Sequence, residues 1–216
     1  MKIPFKICGL TRPEDVAPAT LVGASYLGFI MVPGTPRCIS VEQARRLFAV
    51  SSLPKVLVVG NLSIAEVQRL IAELRPDYIQ LHRNEPPEFA QALHGTRVWR
   101  AFALRTMADV EAAAIYPADA IVADTGMGGS GQVGDWELAR RLAMRKPVIL
   151  AGGITATNVR AGYEATGAFA VDCSSGVEVA PGVKDLGKLT DFANACKNSD
   201  FPSTKATGHA PEPPHL

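Results

Sequence analysis

Eight short apolar runs, each followed by an amphipathic stretch, constrain this chain more than any other feature. The runs cover 3–9, 25–31, 55–61, 77–82, 97–104, 119–125, 147–153 and 168–174. Most are apolar at successive rather than alternate positions, the pattern of strands covered on both faces in a parallel sheet. Helical periodicity fills the intervals at 13–23, 40–51, 63–75, 86–95, 107–116, 135–145, 155–166 and 185–197. Ser40 and Ser63 stand where N-caps belong, and Glu66 three residues after Ser63 completes a capping-box spacing. An open doubly wound sheet also alternates strands and helices, but it usually stops at about five or six strands. Eight units of roughly 25 residues predict instead a closed α/β architecture, a single (β/α)8 TIM barrel.

The barrel is expected to occupy residues 1–198 as one catalytic domain. Residues 199–216, SDFPSTKATGHAPEPPHL, are rich in Pro, Ser and Thr without apolar periodicity, and read as a short disordered tail. Composition narrows the function. Lys plus Arg number 22 against 21 Asp plus Glu, which removes the electrostatic motive for binding nucleic acid or a membrane surface. An anion must then be held by local geometry. No run approaches the roughly 20 apolar residues of a membrane span, and the first residues lack a secretory pattern. Cys8, Cys38, Cys173 and Cys196 lie far apart with no neighbouring histidines, so neither a metal site nor a disulfide framework is expected. A cytoplasmic protein of reduced thiols is the expectation, either monomer or homodimer.

In such barrels the reactive face lies at the C-terminal ends of the strands. Gly152 and Gly153 end the seventh run, before a helix expected to begin near Thr155, and Ser174, Ser175 and Gly176 follow the eighth. Glycine amides and a helix N-terminus suit a phosphate, and the loops after strands 7 and 8 are its habitual site. The other reading of these glycines is tight turns alone. Cys8 sits at the end of the first run beside Gly9, which would leave room for a ligand; it is a candidate base or a packed thiol. Asp124 emerges from the apolar residues 120–123, where burial would favour a protonated carboxyl suited to general acid catalysis. It could equally cap the following turn. Arg37, in a loop stiffened by Pro33 and Pro36, could grip a carboxylate with two hydrogen bonds or simply lie on the surface. The glycine cluster at 128–131 matches no dinucleotide or P-loop fingerprint. His82 is the one histidine near a strand end, and a lone histidine is more often structural than a ligand.

Six segments in register, KICGLT at 6–11, GFIMVPGTPRCIS at 28–40, IQLHRNEP at 79–86, DTGMGGSGQVGDW at 124–136, LAGGITATNV at 150–159 and VDCSSGVEVAPGVKD at 171–185, resemble the phosphoribosylanthranilate isomerases. The resemblance runs from the first strand to the start of the last helix. It implies an Amadori rearrangement of N-(5-phosphoribosyl)anthranilate, a step of tryptophan biosynthesis, without metal or organic cofactor. It implies Asp124 as the general acid that opens the sugar ring and Cys8 as the base that takes the C2′ proton. Arg37 would face the anthranilate carboxylate, and Asp172 would bind a sugar hydroxyl. The residues around Gly153 and Ser174–Gly176 would hold the phosphate. The chain departs from the family pattern at Thr35 (usually Ser), at Arg83 (usually Gly) and at Val133 and Gly134. A different sugar-phosphate isomerase or epimerase barrel, or a paralogue that binds a phosphometabolite without turning it over, are the competing readings.

Overall fold

The computed structural model describes residues 2–126 and 136–197, so the glycine cluster, Val133, Gly134 and the 199–216 segment lie outside the described residues. Eight strands alternate with eight helices: β1 (Phe5–Ile7), α1 (Pro13–Leu21), β2 (Tyr26–Met31), α2 (Val41–Phe48), β3 (Lys55–Val59), α3 (Ile64–Leu74), β4 (Tyr78–Leu81), α4 (Pro87–Gln91), β5 (Arg97–Ala103), α5 (Met107–Ile115), β6 (Ala120–Asp124), α6 (Trp136–Ala143), β7 (Val148–Ala151), α7 (Val159–Thr166), β8 (Ala170–Cys173) and α8 (Leu186–Lys197). The strands close into one parallel barrel in sequence order, with β1 pairing β8 through Lys6 opposite Asp172. The expected eightfold barrel is therefore present.

Side chains of the strands divide between two layers because successive residues point to opposite faces. Outward positions such as Phe5, Leu27, Leu57, Ile79, Ile121 and Leu150 pack under the helices in the main apolar layer. Inward positions Tyr26, Val56, Tyr78, Trp99, Ala120, Ile149 and Ala170 fill the barrel itself. Both layers are buried, which is why the strands read as continuous apolar runs. Capping boxes start α2 at Ser40 with Gln43, α3 at Ser63 with Glu66, and α5 at Thr106 with Asp109.

Two local expectations change. The seventh helix begins at Val159, not near Thr155. Asn158 uses its side chain to accept from the Thr155 amide and to donate to the Gly153 carbonyl, which holds 155–158 as a turn instead of a first helical turn. Between β8 and α8 the chain adds a 3-10 turn at Ser175–Val177 and a small antiparallel hairpin, β9 (Glu178–Ala180) and β10 (Val183–Lys184). These strands are too short to leave a periodic signal.

Candidate active site

A cavity of about 420 Å3 opens at the C-terminal ends of the barrel strands. Of the nine residues singled out above, Cys8, Arg37, Asp124, Gly152, Gly153, Asp172, Ser174 and Ser175 all line it. Gly176 does not. A Cβ there would stand 2.3 Å from the Ile154 carbonyl oxygen, so this position is packed closely against the β7 loop.

Glycines shape the cavity by giving room to reactive side chains. A Cβ at Gly152, whose φ is +89°, would stand 2.3 Å from Asp124 Oδ1 and 2.2 Å from the Gly126 amide nitrogen. Only glycine lets β6 and β7 end side by side with the carboxyl group between them. Asp124 Oδ1 also accepts from the Gly126 amide at 3.0 Å, which fixes the carboxyl at the rim. Gly28 does the same for the thiol, because a Cβ there would meet Cys8 Sγ at 2.9 Å and Lys6 Cε at 2.7 Å. The space beside Gly9 is taken by Arg37, not left for a ligand: a Cβ would stand 2.7 Å from Arg37 Cδ.

Beneath the cavity runs a charged line in which Asp172 meets two partners not anticipated from the sequence, Lys6 and Gln80. Lys6, fully buried, donates from Nζ to Asp172 Oδ2 at 2.8 Å and to Gln80 Oε1 at 3.0 Å. Burial alone would lower the pKa of this ammonium, but Asp172 and then Cys8 together offset it and hold Lys6 above its ordinary value. Because Gln80 accepts through its oxygen, its amide nitrogen faces His82 Nδ1 at 3.3 Å as a donor. The imidazole therefore carries its proton on Nε2, and burial followed by the Lys6 charge lowers its pKa and favours the neutral ring. Asp172 lines the cavity and its buried Oδ1 has no hydrogen-bond partner among the described residues, so one acceptor is held ready for a donor such as a hydroxyl.

Burial pushes the Cys8 thiol up from its ordinary range; Lys6, the nearest counterweight, pulls it back only in part. Arg37 is not free, as a substrate-gripping arginine would be. Its Nε donates to Glu178 Oε1 at 2.9 Å and its Nη2 to Oε2, a fork that leaves Nη1 alone without a partner among the described residues. Glu178 also accepts from Lys184 Nζ at 2.8 Å, and that ammonium reaches the carbonyls of Cys8 and Ser174. Burial opposes ionisation of Glu178, yet the bonds from Arg37 and Lys184 hold its carboxyl below the ordinary range. The β9–β10 hairpin thus ties the ends of β1 and β8 together. Glu178 and Lys184 were invisible as partners because they lie 141 and 176 residues from Arg37 and Cys8. The signal available for Lys6 and Gln80 was a polar residue inside an otherwise apolar run.

Comparison with known proteins decides the family. The family described as N-(5'phosphoribosyl)anthranilate (PRA) isomerase matches residues 5–195. The chain belongs to this family. An N-(5'-phosphoribosyl)anthranilate isomerase of Rhodopseudomonas palustris is 37% identical over 93% of this chain and 98% of its own length. The crystal structure of the phosphoribosyl anthranilate isomerase of Thermus thermophilus superposes with a TM-score of 0.83 at 39% identity, covering 89% of this chain and 98% of that one. A further structure of the family, solved with reduced 1-(o-carboxyphenylamino)-1-deoxyribulose 5-phosphate, gives 0.82 at 31% identity over 90% of this chain and 98% of that one. Among the described residues, no three His, Cys, Asp or Glu side chains are grouped to hold a metal ion, and no helix is long and apolar enough to cross a membrane.

Proposed function

We propose that the chain isomerises N-(5-phosphoribosyl)anthranilate to 1-(2-carboxyphenylamino)-1-deoxyribulose 5-phosphate with Asp124 as general acid and Cys8 as general base. The observation that carries the assignment is the shared cavity, with Asp124 at the end of β6 and Cys8 after β1, on either side of the β7 and β8 loops. A phosphate seated on those loops puts the sugar between the two groups. The Gly153 and Ser174 amides meet no backbone acceptor among the described residues, and with the Ser174 and Ser175 hydroxyls they supply donors for it.

Asp124 then donates its proton to the furanose ring oxygen as the C1–O bond breaks, and the anilino nitrogen pushes in to form the protonated imine. Cys8 thiolate removes the C2 proton, and the electron pair of that C–H bond becomes the C1–C2 double bond of an enamine-enol. The C2 hydroxyl proton passes to the Asp124 carboxylate and the Cys8 thiol gives up a proton to C1, which yields the ketone and restores both side chains. In sum one hydrogen has moved from C2 to C1 and one from the C2 hydroxyl to the former ring oxygen, with no net gain or loss. Asp172 Oδ1 is free to accept from a sugar hydroxyl, and Arg37 Nη1 to donate a single hydrogen bond to the aryl carboxylate. A cytoplasmic monomer or homodimer, with a phosphorylated small molecule as its only partner, completes the reading.

Turnover of freshly condensed ribose 5-phosphate and anthranilate, followed by loss of anthranilate-type fluorescence and by identification of the ketose product, tests this reading. Tight binding of the phosphorylated compound without any product would reject it in favour of a silent paralogue.

A further inference from the structure

An ammonium carries three N–H donors, and a buried donor left without an acceptor is costly. Lys6 is fully buried and directs two of its three to Asp172 and Gln80. Cys8 stands two residues on, where its amide still donates to the Cys173 carbonyl beside β8, so both side chains leave the chain on the inward face. Gly28 of β2 faces the pair. A Cβ there would meet Lys6 Cε at 2.7 Å and Cys8 Sγ at 2.9 Å, so glycine lets the lysine stem and the sulfur close up on one another. Among the groups that keep Lys6 charged, Cys8 follows directly after Asp172.

The other charged groups facing Cys8 are engaged elsewhere or repel an anion. Lys184 of β10 donates to the Cys8 and Ser174 carbonyls and to Glu178, which uses all three of its N–H groups. Arg37, in the loop after β2, forks onto Glu178. Asp172 of β8 opposes a negative charge on the sulfur. From β2, its end and β3 come Ile30, Val32 and Val58, which are apolar. An anionic sulfur in this place is therefore matched by Lys6.

We propose that Lys6 is a positioning residue for the reaction: its third N–H serves Cys8 Sγ and supplies the counter-charge for the anionic sulfur that takes the proton. Lys6 is absent from the cavity lining, so it acts through Cys8 and not on a ligand. The inference rests on the isomerase reading for the use of Cys8 as base.

The test reads the sulfur directly and needs no substrate. Wild type, Lys6→Met and Lys6→Met/Asp172→Asn are labelled with iodoacetamide at about pH 8, and each cysteine is followed separately by peptide mass spectrometry. Exposed Cys38 is the internal standard, and buried Cys173 and Cys196 report any opening of the fold. Lys6→Met leaves the Asp172 carboxylate without its counter-charge; the double variant removes both charges and carries the test where the single one unfolds. Loss of Lys6 is expected to cut the anionic fraction of Cys8 about tenfold. The greater intrinsic reactivity of a more basic sulfur reduces this to about threefold slower labelling. The double variant should also label more slowly than wild type, because Lys6 acts on the sulfur more strongly than Asp172 does. In Lys6→Met, kcat for the isomerisation should fall alongside. Labelling of Cys8 as fast in the variants as in wild type, with Cys173 silent, overturns the proposal. So does a wild type whose Cys8 is as inert as Cys173, since a sulfur with a counter-charge beside an open cavity reacts. Slower labelling of the variants in a protein that turns over no substrate would fail the isomerase reading and keep Lys6 as the counter-charge of Cys8.

Discussion

Toward the N-terminal ends of the strands, the barrel interior is closed by rings. Tyr26 and Trp99 meet edge to face at 5.0 Å, and Tyr78 and Trp99 lie 4.5 Å apart. Toward the C-terminal ends, the same interior carries Lys6, Gln80 and Asp172 and then opens into the cavity. The two regions share strands, register and burial, yet one uses its inward positions for packing and the other for charge. The division follows from what each end must do. Apolar rings gain free energy simply by leaving water, about 25 cal/mol per Å2, and need no partner. Buried charges gain little and persist where they are paired, as Lys6 is with Asp172, which suits a site that must hold groups in fixed places.

Substitutions at the two ends are therefore expected to separate activity from stability. The largest effect falls at the cavity: Cys8→Ala and Asp124→Asn should each lower kcat by about 10²-fold or more, as loss of an acid or base does, with thermal midpoints close to wild type. Retention of turnover within tenfold by either variant would break the assignment. Trp99→Ala should do the reverse, costing about 3–5 kcal/mol in urea unfolding while the folded fraction keeps its turnover within a few fold. Glu178→Gln sits between the two, because it strips a buried carboxylate from Arg37 and Lys184. It should cost about 3 kcal/mol and raise KM as the loop ends loosen. Because the Glu178 carboxyl is held below its ordinary value of 4.5, its contribution is present above that pH and is lost as pH falls through the folded value. Acid unfolding of Glu178→Gln should accordingly be shallower than that of wild type.

The pH profile of catalysis sharpens the same contrast. With the Cys8 thiol raised above its ordinary 9.0 by burial, the thiolate is the minor form at neutrality. Its fraction grows tenfold per pH unit, so in Asp124→Asn, which has no carboxyl proton to lose, log kcat/KM of the residual turnover should climb with a slope near one through pH 7–8.5. A flat profile in that variant would show that the proton is taken by another group. The smallest effect is expected from ending the chain after Asn198, which should leave turnover within twofold; a larger loss would give the Pro-rich segment a place in the site.

The barrel itself could be read in the chain because parallel strands buried on two faces leave long apolar runs, and 3–9 and 168–174 anticipated β1 and β8 closely. Cys8, Asp124 and the paired glycines were legible because they end such runs. What escaped was pairing across great separation. Nothing local in PRC at 36–38 tells that Arg37 meets Glu178, and nothing in KIC at 6–8 tells that Lys6 meets Asp172. The hairpin that carries Glu178 and Lys184 escaped too, since strands of three and two residues leave no period to detect.

Lys6 joins the first strand, the fourth and the last through two hydrogen bonds. During vectorial synthesis β1 and β4 leave the ribosome well before β8, and until Asp172 arrives the ammonium has no counter-charge. An incomplete barrel must then keep Lys6 in water with β1 unseated, bury a bare cation, or strip the lysine of its proton, each at a cost. The first and eighth strands are in this way tied to each other's arrival, and a barrel halted before β8 lacks the carboxylate that matches its buried lysine.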